Sequence, residues 1–168
     1  MKVLRVVILA IILGLFAQVD FKIPALPVSF SGQTFFILLS FYFITRKELF
    51  SYLVCYLVFG ILGLPVFAQM RSGLDAFTGP SFGYFMGFLL MPVFLRFHYR
   101  KLEVFQSIFM LFCAHLIILG VGTLGLLRYM DIPEALDKGF YPFLSAALLK
   151  AALIYFCVSA YRYFKKLN

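Results

Sequence analysis

Lys150 is the one lysine, arginine or acid set well inside an apolar run of this chain. A lysine there is expensive unless it faces a bundle interior and meets an anion, a dipole or water. Its distance from Pro142 places it roughly 12 Å along a helix, short of the midplane of an apolar layer about 30 Å thick. No acidic residue lies within any of the apolar runs. Its partner is therefore an outer-loop acid, a dipole or a ligand, and both a structural role and ligand contact stay open. Arg71 is the only cation in the interval Gly63 to Tyr84, GLPVFAQMRSGLDAFTGPSFGY. A guanidinium in a glycine-rich loop suits a carboxylate through paired hydrogen bonds, and pairing with Asp75 is the plainer alternative. Ser81 and Tyr84 offer hydroxyls, and Gln69 and Gln33 offer amides, to the polar part of a small solute. Ser81 equally suits a helix start. His115, in an apolar run, reads as an interior histidine or an interhelical hydrogen bond rather than a catalyst.

Several chemistries are excluded by what these residues lack. The apolar runs hold no paired acids, no nucleophile beside a base and no cluster with metal-ligand spacing, so the expectation is not an enzyme, with no metal and no cofactor. No P-loop is present, so any transport must be driven by a partner. Gly120-Val-Gly-Thr-Leu-Gly125 matches the dinucleotide fingerprint literally, but it ends an apolar run with no strand before it. It is read as part of a span. Cys55, Cys113 and Cys157 fall in three different runs without paired spacing, which speaks against a disulfide framework or a zinc site.

The elements that must position these side chains follow from hydropathy. With 64% hydrophobic residues in 168, and a mean hydropathy of +1.01, the chain has too little polar surface for a soluble globule. The expected architecture is an all-α integral membrane protein, one domain over 1–168, with spans at 3–19, 33–44, 49–62, 82–97, 104–127 and 142–163. The first run is expected to be retained rather than cleaved, because Leu15 and Ala17 do not form a small-x-small cleavage site. Ala10, Gly14 and Ala17 make a small-residue stripe that suits close helix approach, either within the chain or to a partner protein.

Charge gives the orientation. Lys2, Arg5, Arg46, Lys47, Arg96, Arg100, Lys101, Arg162, Lys165 and Lys166 fall on one side of the six spans, against Lys22, Arg71, Arg128 and Lys138 on the other. The lysine and arginine bias predicts cytoplasmic termini in a cell membrane. The net charge of +8 is spread over short loops and termini, so nucleic acid is not the expected partner. Asp20 to Gly32, Gly63 to Tyr84 and Arg128 to Tyr141 then share the outer face. Irregular backbone near membrane depth is tolerated where it lines a cavity, so a solute site open to the outside is expected.

Pro27-Val-Ser-Phe-Ser-Gly-Gln33-Thr, Gly63-Leu-Pro-Val-Phe-Ala68, Gly79-Pro-Ser-Phe-Gly-Tyr84 and Pro142-Phe-Leu with Leu148-Leu-Lys150 resemble the BioY family, the biotin-specific substrate-binding (S) subunits of energy-coupling-factor (ECF) transporters. The resemblance runs over nearly the whole chain. It implies a six-helix S-component-like bundle that captures biotin from outside and works with a coupling membrane subunit and ATPase subunits, which use the ATP. It also implies that Lys150 and Arg71 hold the ureido ring and the carboxylate, and that the first-helix stripe docks the coupling subunit. Two stretches depart from the family pattern: Ala146-Ala147 stands in place of Gly-Asp, and Phe82 replaces a glycine, where its ring is expected near the ligand. Another small vitamin or carboxylate is the alternative ligand, and a structural membrane protein without a ligand is the alternative class.

Overall fold

The computed structural model describes residues 2–94 and 103–167. Arg96, His98, Arg100 and Lys101, together with the end of the 82–97 run and the basic turn after it, lie outside the described residues. In order, the elements are α1 (Lys2–Gln18), β1 (Asp20–Phe21), β2 (Phe30–Ser31), α2 (Gln33–Ser40), α3 (Arg46–Ile61), α4 (Gly73–Thr78), α5 (Phe82–Phe94), α6 (Val104–Leu126), α7 (Ile132–Gly139) and α8 (Leu144–Leu167). Short 3-10 turns at Ala68–Met70 and Tyr141–Phe143 precede α4 and α8. The protein is mostly helical, as expected for apolar sequence that must satisfy its backbone within each segment.

Among the described residues, Val104–Leu126 and Ile132–Lys165 contain apolar helix long enough to cross a membrane, while Val3–Gln18 and Phe82–Val93 are shorter apolar helices. α2 has only 8 residues, about 12 Å of rise. It is extended by a turn in which Phe43 and Ile44 N–H donate to the Ser40 carbonyl at 2.9 and 3.1 Å. Thr45 then caps α3 by a reciprocal box with Glu48, so the charged Thr45–Glu48 stretch is the opening of that helix rather than a free loop. Arg5 reaches the same corner, with Nη1 3.2 Å from the Glu48 carboxylate and Nη2 donating to the Phe43 carbonyl at 3.2 Å.

α1 packs on α3, α5 on α6, and α8 on α6 and α2. The α5–α6 pairing is the closest, because Gly83 meets Gly125 backbone to backbone and Gly122 lies under the Tyr84 ring. A Cβ at Gly83 would come within 2.7 Å of the Val121 and Gly122 carbonyl oxygens. Gly122 and Gly125 of the glycine run are thus packing positions on α6, as small residues are in membrane helices.

Of the two contacts that the Ala10, Gly14 and Ala17 stripe suited, within the chain or to a partner, the packing supplies the one within the chain. Ala10 and Ala17 have no exposed surface. Gly14 is buried against Val66, 3.1 Å from where a Cβ would stand. The stripe is filled from inside the chain, and α1 turns Leu4, Ile8, Ile11 and Leu15 outward instead.

Candidate functional site

The three irregular intervals between helices meet at one end of the bundle. β1 and β2 pair antiparallel, Asp20 opposite Ser31 and Phe21 opposite Phe30, and close the first interval on itself. Phe30 stacks on Phe143 at 4.3 Å between ring centres, joining the first interval to the turn that leads from the third into α8. The Tyr129 hydroxyl donates to the Thr78 carbonyl at 3.0 Å, joining the third to the second. Under this cover lies a cavity open to the outside, with about 910 Å³ of non-atom space when the solvent at its mouth is included.

All six candidate binding residues, Gln33, Gln69, Arg71, Ser81, Tyr84 and Lys150, line this one cavity. They do not contribute alike. Lys150 Nζ donates to the Ser31 carbonyl at 2.7 Å and to Thr34 Oγ1 at 3.1 Å. Of the three partners open to it from sequence, the structure supplies dipoles and no acid, so the ammonium charge lacks a counter-ion within the described residues. Arg71 makes no ion pair with Asp75 among the described residues. Its guanidinium passes Gly79, and Lys22 adds a third cation to the lining, which contains no acid. The cavity wall is cationic, which favours an anionic group in the ligand.

Gln33 and Tyr84 are more committed than a free recognition group is. Gln33 Nε2 donates to the Tyr56 hydroxyl at 2.6 Å, Tyr56 donates on to the Val66 carbonyl at 3.0 Å, and Gln33 Oε1 accepts from Ser31 Oγ at 2.7 Å. This chain fixes the start of α2 to the loop before Ala68. The Tyr84 hydroxyl donates to the Gly139 carbonyl at 2.7 Å, so its hydrogen is spent on the neighbouring interval and its ring is what the cavity receives. Ser81 sits one residue ahead of α5, its carbonyl accepting from Phe85 N–H at 3.1 Å. Phe82 does not line the cavity. Its ring stands edge-on to Phe77 and under the Arg128 guanidinium, 5.1 Å from the ring centre. The replacement of a glycine there is absorbed outside the cavity, while Ala146 and Ala147 do line it.

One residue that positions the site was not legible in the sequence. Gln18, at the end of α1, donates from Nε2 to the Gly14, Pro65 and Phe67 carbonyls at 3.1, 3.4 and 3.0 Å, and accepts from Met70 N–H at 2.9 Å. The segment it holds contains Gln69 and Met70, with φ of 63° and 55°, a left-handed geometry that non-glycine residues adopt at a cost. Phe67 pairs with Arg71 across the bend, N–H to carbonyl at 3.1 Å. The signal was in principle available, as a lone amide closing an apolar helix, but its partners lie up to 52 residues away.

Residues 1–166 match the model of the BioY family. The chain belongs to the BioY family. The biotin transporter BioY of Thermotoga maritima is 37% identical over 138 residues, covering 79% of this chain and 82% of the relative. Biotin transporter BioY2 of Lactococcus lactis is 30% identical, covering 86% of this chain and 81% of that one. The family match spans residues 1–166, so the BioY likeness includes the cavity region. The crystal structure of the S-component for biotin from an ECF-type ABC transporter superposes with a TM-score of 0.81, covering 96% of this chain and 90% of that one. At 20% identity this last likeness speaks to the fold, which is S-component-like.

Proposed function

We propose that this BioY protein is the substrate-capture subunit of a biotin uptake transporter, with no enzymatic activity of its own. The observation that carries the proposal is the cavity under the three intervals, lined by Lys150 and Arg71 without a matching acid. Biotin presents a cyclic urea at one end and a carboxylate at the other. Lys150, set on α8, faces the urea carbonyl, and Arg71, on the loop before α4, faces the carboxylate. Phe67, Phe85, Phe88 and Phe143 supply apolar wall between them. Gln69 and Ser81 add polar contacts near the opening, and the Tyr84 ring and the Gln33 network hold shape.

In the same reading the chain is one membrane domain crossing six times, through α1, α2 with its following turn, α3, α5, α6 and α8. Both termini are cytoplasmic, and the cavity opens on the outer face. The positive-inside bias supports that orientation. An ATP-driven coupling subunit with its ATPases supplies the energy, since this sequence has no P-loop.

The test is binding of labelled biotin to detergent-purified protein, beside the Lys150→Ala and Arg71→Ala variants. Saturable binding at micromolar biotin, weakened in both variants, is expected. No binding of biotin at that level, with binding of a different vitamin or carboxylate, would reassign the ligand. A failure of every such solute to raise the melting temperature would point to a structural membrane protein instead, because a ligand that binds only the folded state must raise it.

A further inference from the structure

We propose that His115 is a specificity residue of this cavity, offering ring Nε2 as the hydrogen-bond acceptor for an N–H group of the ligand. The inference rests on the biotin reading above and deepens it. His115 lies on α6, lines the cavity and is only 3% exposed. Its Nδ1 stands 2.9 Å from the Leu111 carbonyl. A carbonyl only accepts, so Nδ1 carries the hydrogen, and the neutral ring keeps a lone pair on Nε2. That atom is buried and has no partner among the described residues.

Buried polar atoms are paired as a rule, and an exception needs an explanation. The other buried polar side chains of the lining are already engaged: Gln33 Oε1 accepts from Ser31, and the Tyr84 hydroxyl donates to Gly139. The cations Lys22, Arg71 and Lys150 can only donate. A ring that carries both a carbonyl and N–H groups needs an acceptor as well as donors. Within the buried lining, His115 Nε2 is the acceptor with no hydrogen bond at all, and Lys150 on α8 is a donor. A cyclic urea or lactam matches that pair, whereas a ring without N–H leaves Nε2 orphaned. A site built to pair with an N–H discriminates strongly against analogues that lack it.

The experiment compares biotin with its two singly N-methylated ureido analogues, on the wild-type protein and on His115→Phe and His115→Gln. Phe fills the space without an acceptor, and Gln restores one. Wild type is expected to bind at least one methylated analogue about tenfold more weakly than biotin or worse. His115→Phe should bind biotin about tenfold more weakly, a change of about 1.4 kcal/mol, and lose that discrimination, while His115→Gln recovers part of both. Equal binding of biotin and both analogues by wild type overturns the proposal without any variant, so misfolding of a mutant cannot shelter it. Retained discrimination in a folded His115→Phe protein overturns it too, and leaves the biotin reading standing. If wild type binds no biotin, the functional reading fails and this proposal falls with it.

Discussion

Replacing Lys150 with methionine separates a recognition lysine from a structural one, because the two roles move stability and affinity in different directions. Methionine keeps the length and apolar stem and removes the ammonium. In the unliganded protein this deletes the contacts to the Ser31 carbonyl at 2.7 Å and to Thr34 Oγ1 at 3.1 Å. Hydrogen bonds to a charged group contribute about 1.5–3 kcal/mol. Against them stands the desolvation of a half-buried ammonium with no counter-ion, several kcal/mol by general experience of buried ions. The two terms nearly cancel, so the melting temperature of unliganded Lys150→Met is expected to stay within a few degrees of wild type or to rise. Affinity does not share that cancellation. Loss of a charge-assisted hydrogen bond to the ligand carbonyl weakens biotin binding by about 1.5–3 kcal/mol, roughly tenfold to a hundredfold or more. Calorimetric titration gives the affinity, and thermal unfolding with and without biotin gives the stability. At a hundredfold excess over Kd the ligand stabilises wild type by about 2.7 kcal/mol, and at the same concentration that increment should fall to about 0.4–1.4 kcal/mol in the variant. A sharp drop in unliganded melting temperature with undiminished affinity would make Lys150 a structural clamp and not a recognition residue.

Other perturbations probe the supports of the cavity. Gln18→Ala frees the Met70 N–H and the Phe67 carbonyl; amide hydrogen exchange at 66–71 should quicken and biotin affinity fall, and unchanged exchange there would contradict the clamp. Tyr56→Phe strands the Gln33 amide that now donates to the hydroxyl, at about 1–3 kcal/mol for a buried unpaired group, read as a lowered melting temperature. Gly60→Ala drives a Cβ into the Phe67 ring; overpacking of this kind costs about 1–3 kcal/mol and should disturb the cavity wall as well as stability. Arg71→Gln should weaken biotin but leave biotin methyl ester nearly unaffected, so an equal loss for both would remove Arg71 from carboxylate recognition.

The sequence carried the apolar helices and the loops that cluster over the cavity, because those follow from hydropathy, helix breakers and charge. Within the third interval, α7 opens with Pro133 in its first turn and with Asp131 Oδ1 accepting from Glu134 N–H at 3.0 Å. The interior wiring was far less legible. Gln33 looked like a free amide, yet its partners are set by where α3 and the loop at Val66 come to rest, and no local spacing encodes that. Gln18 was missed for the same reason. The small-residue stripe on α1 was readable as a close-contact surface but not as to whose contact. Only packing shows that Val66 fills it. His115 looked like an ordinary interior histidine until its second nitrogen proved to be unpaired. Phe82 illustrates the converse, since a bulky residue at a glycine position is harmless when Phe77 and Arg128 receive its ring away from the cavity.

The most direct test of the central claim is a structure of the protein determined with biotin bound. The ureido ring is expected in the cavity between α6 and α8, its carbonyl within hydrogen-bonding distance of Lys150 Nζ, with the carboxylate directed to the opening beside Arg71. Biotin bound outside the cavity, or seated there with its carboxylate on Lys150 and its ring at the mouth, would contradict the claim.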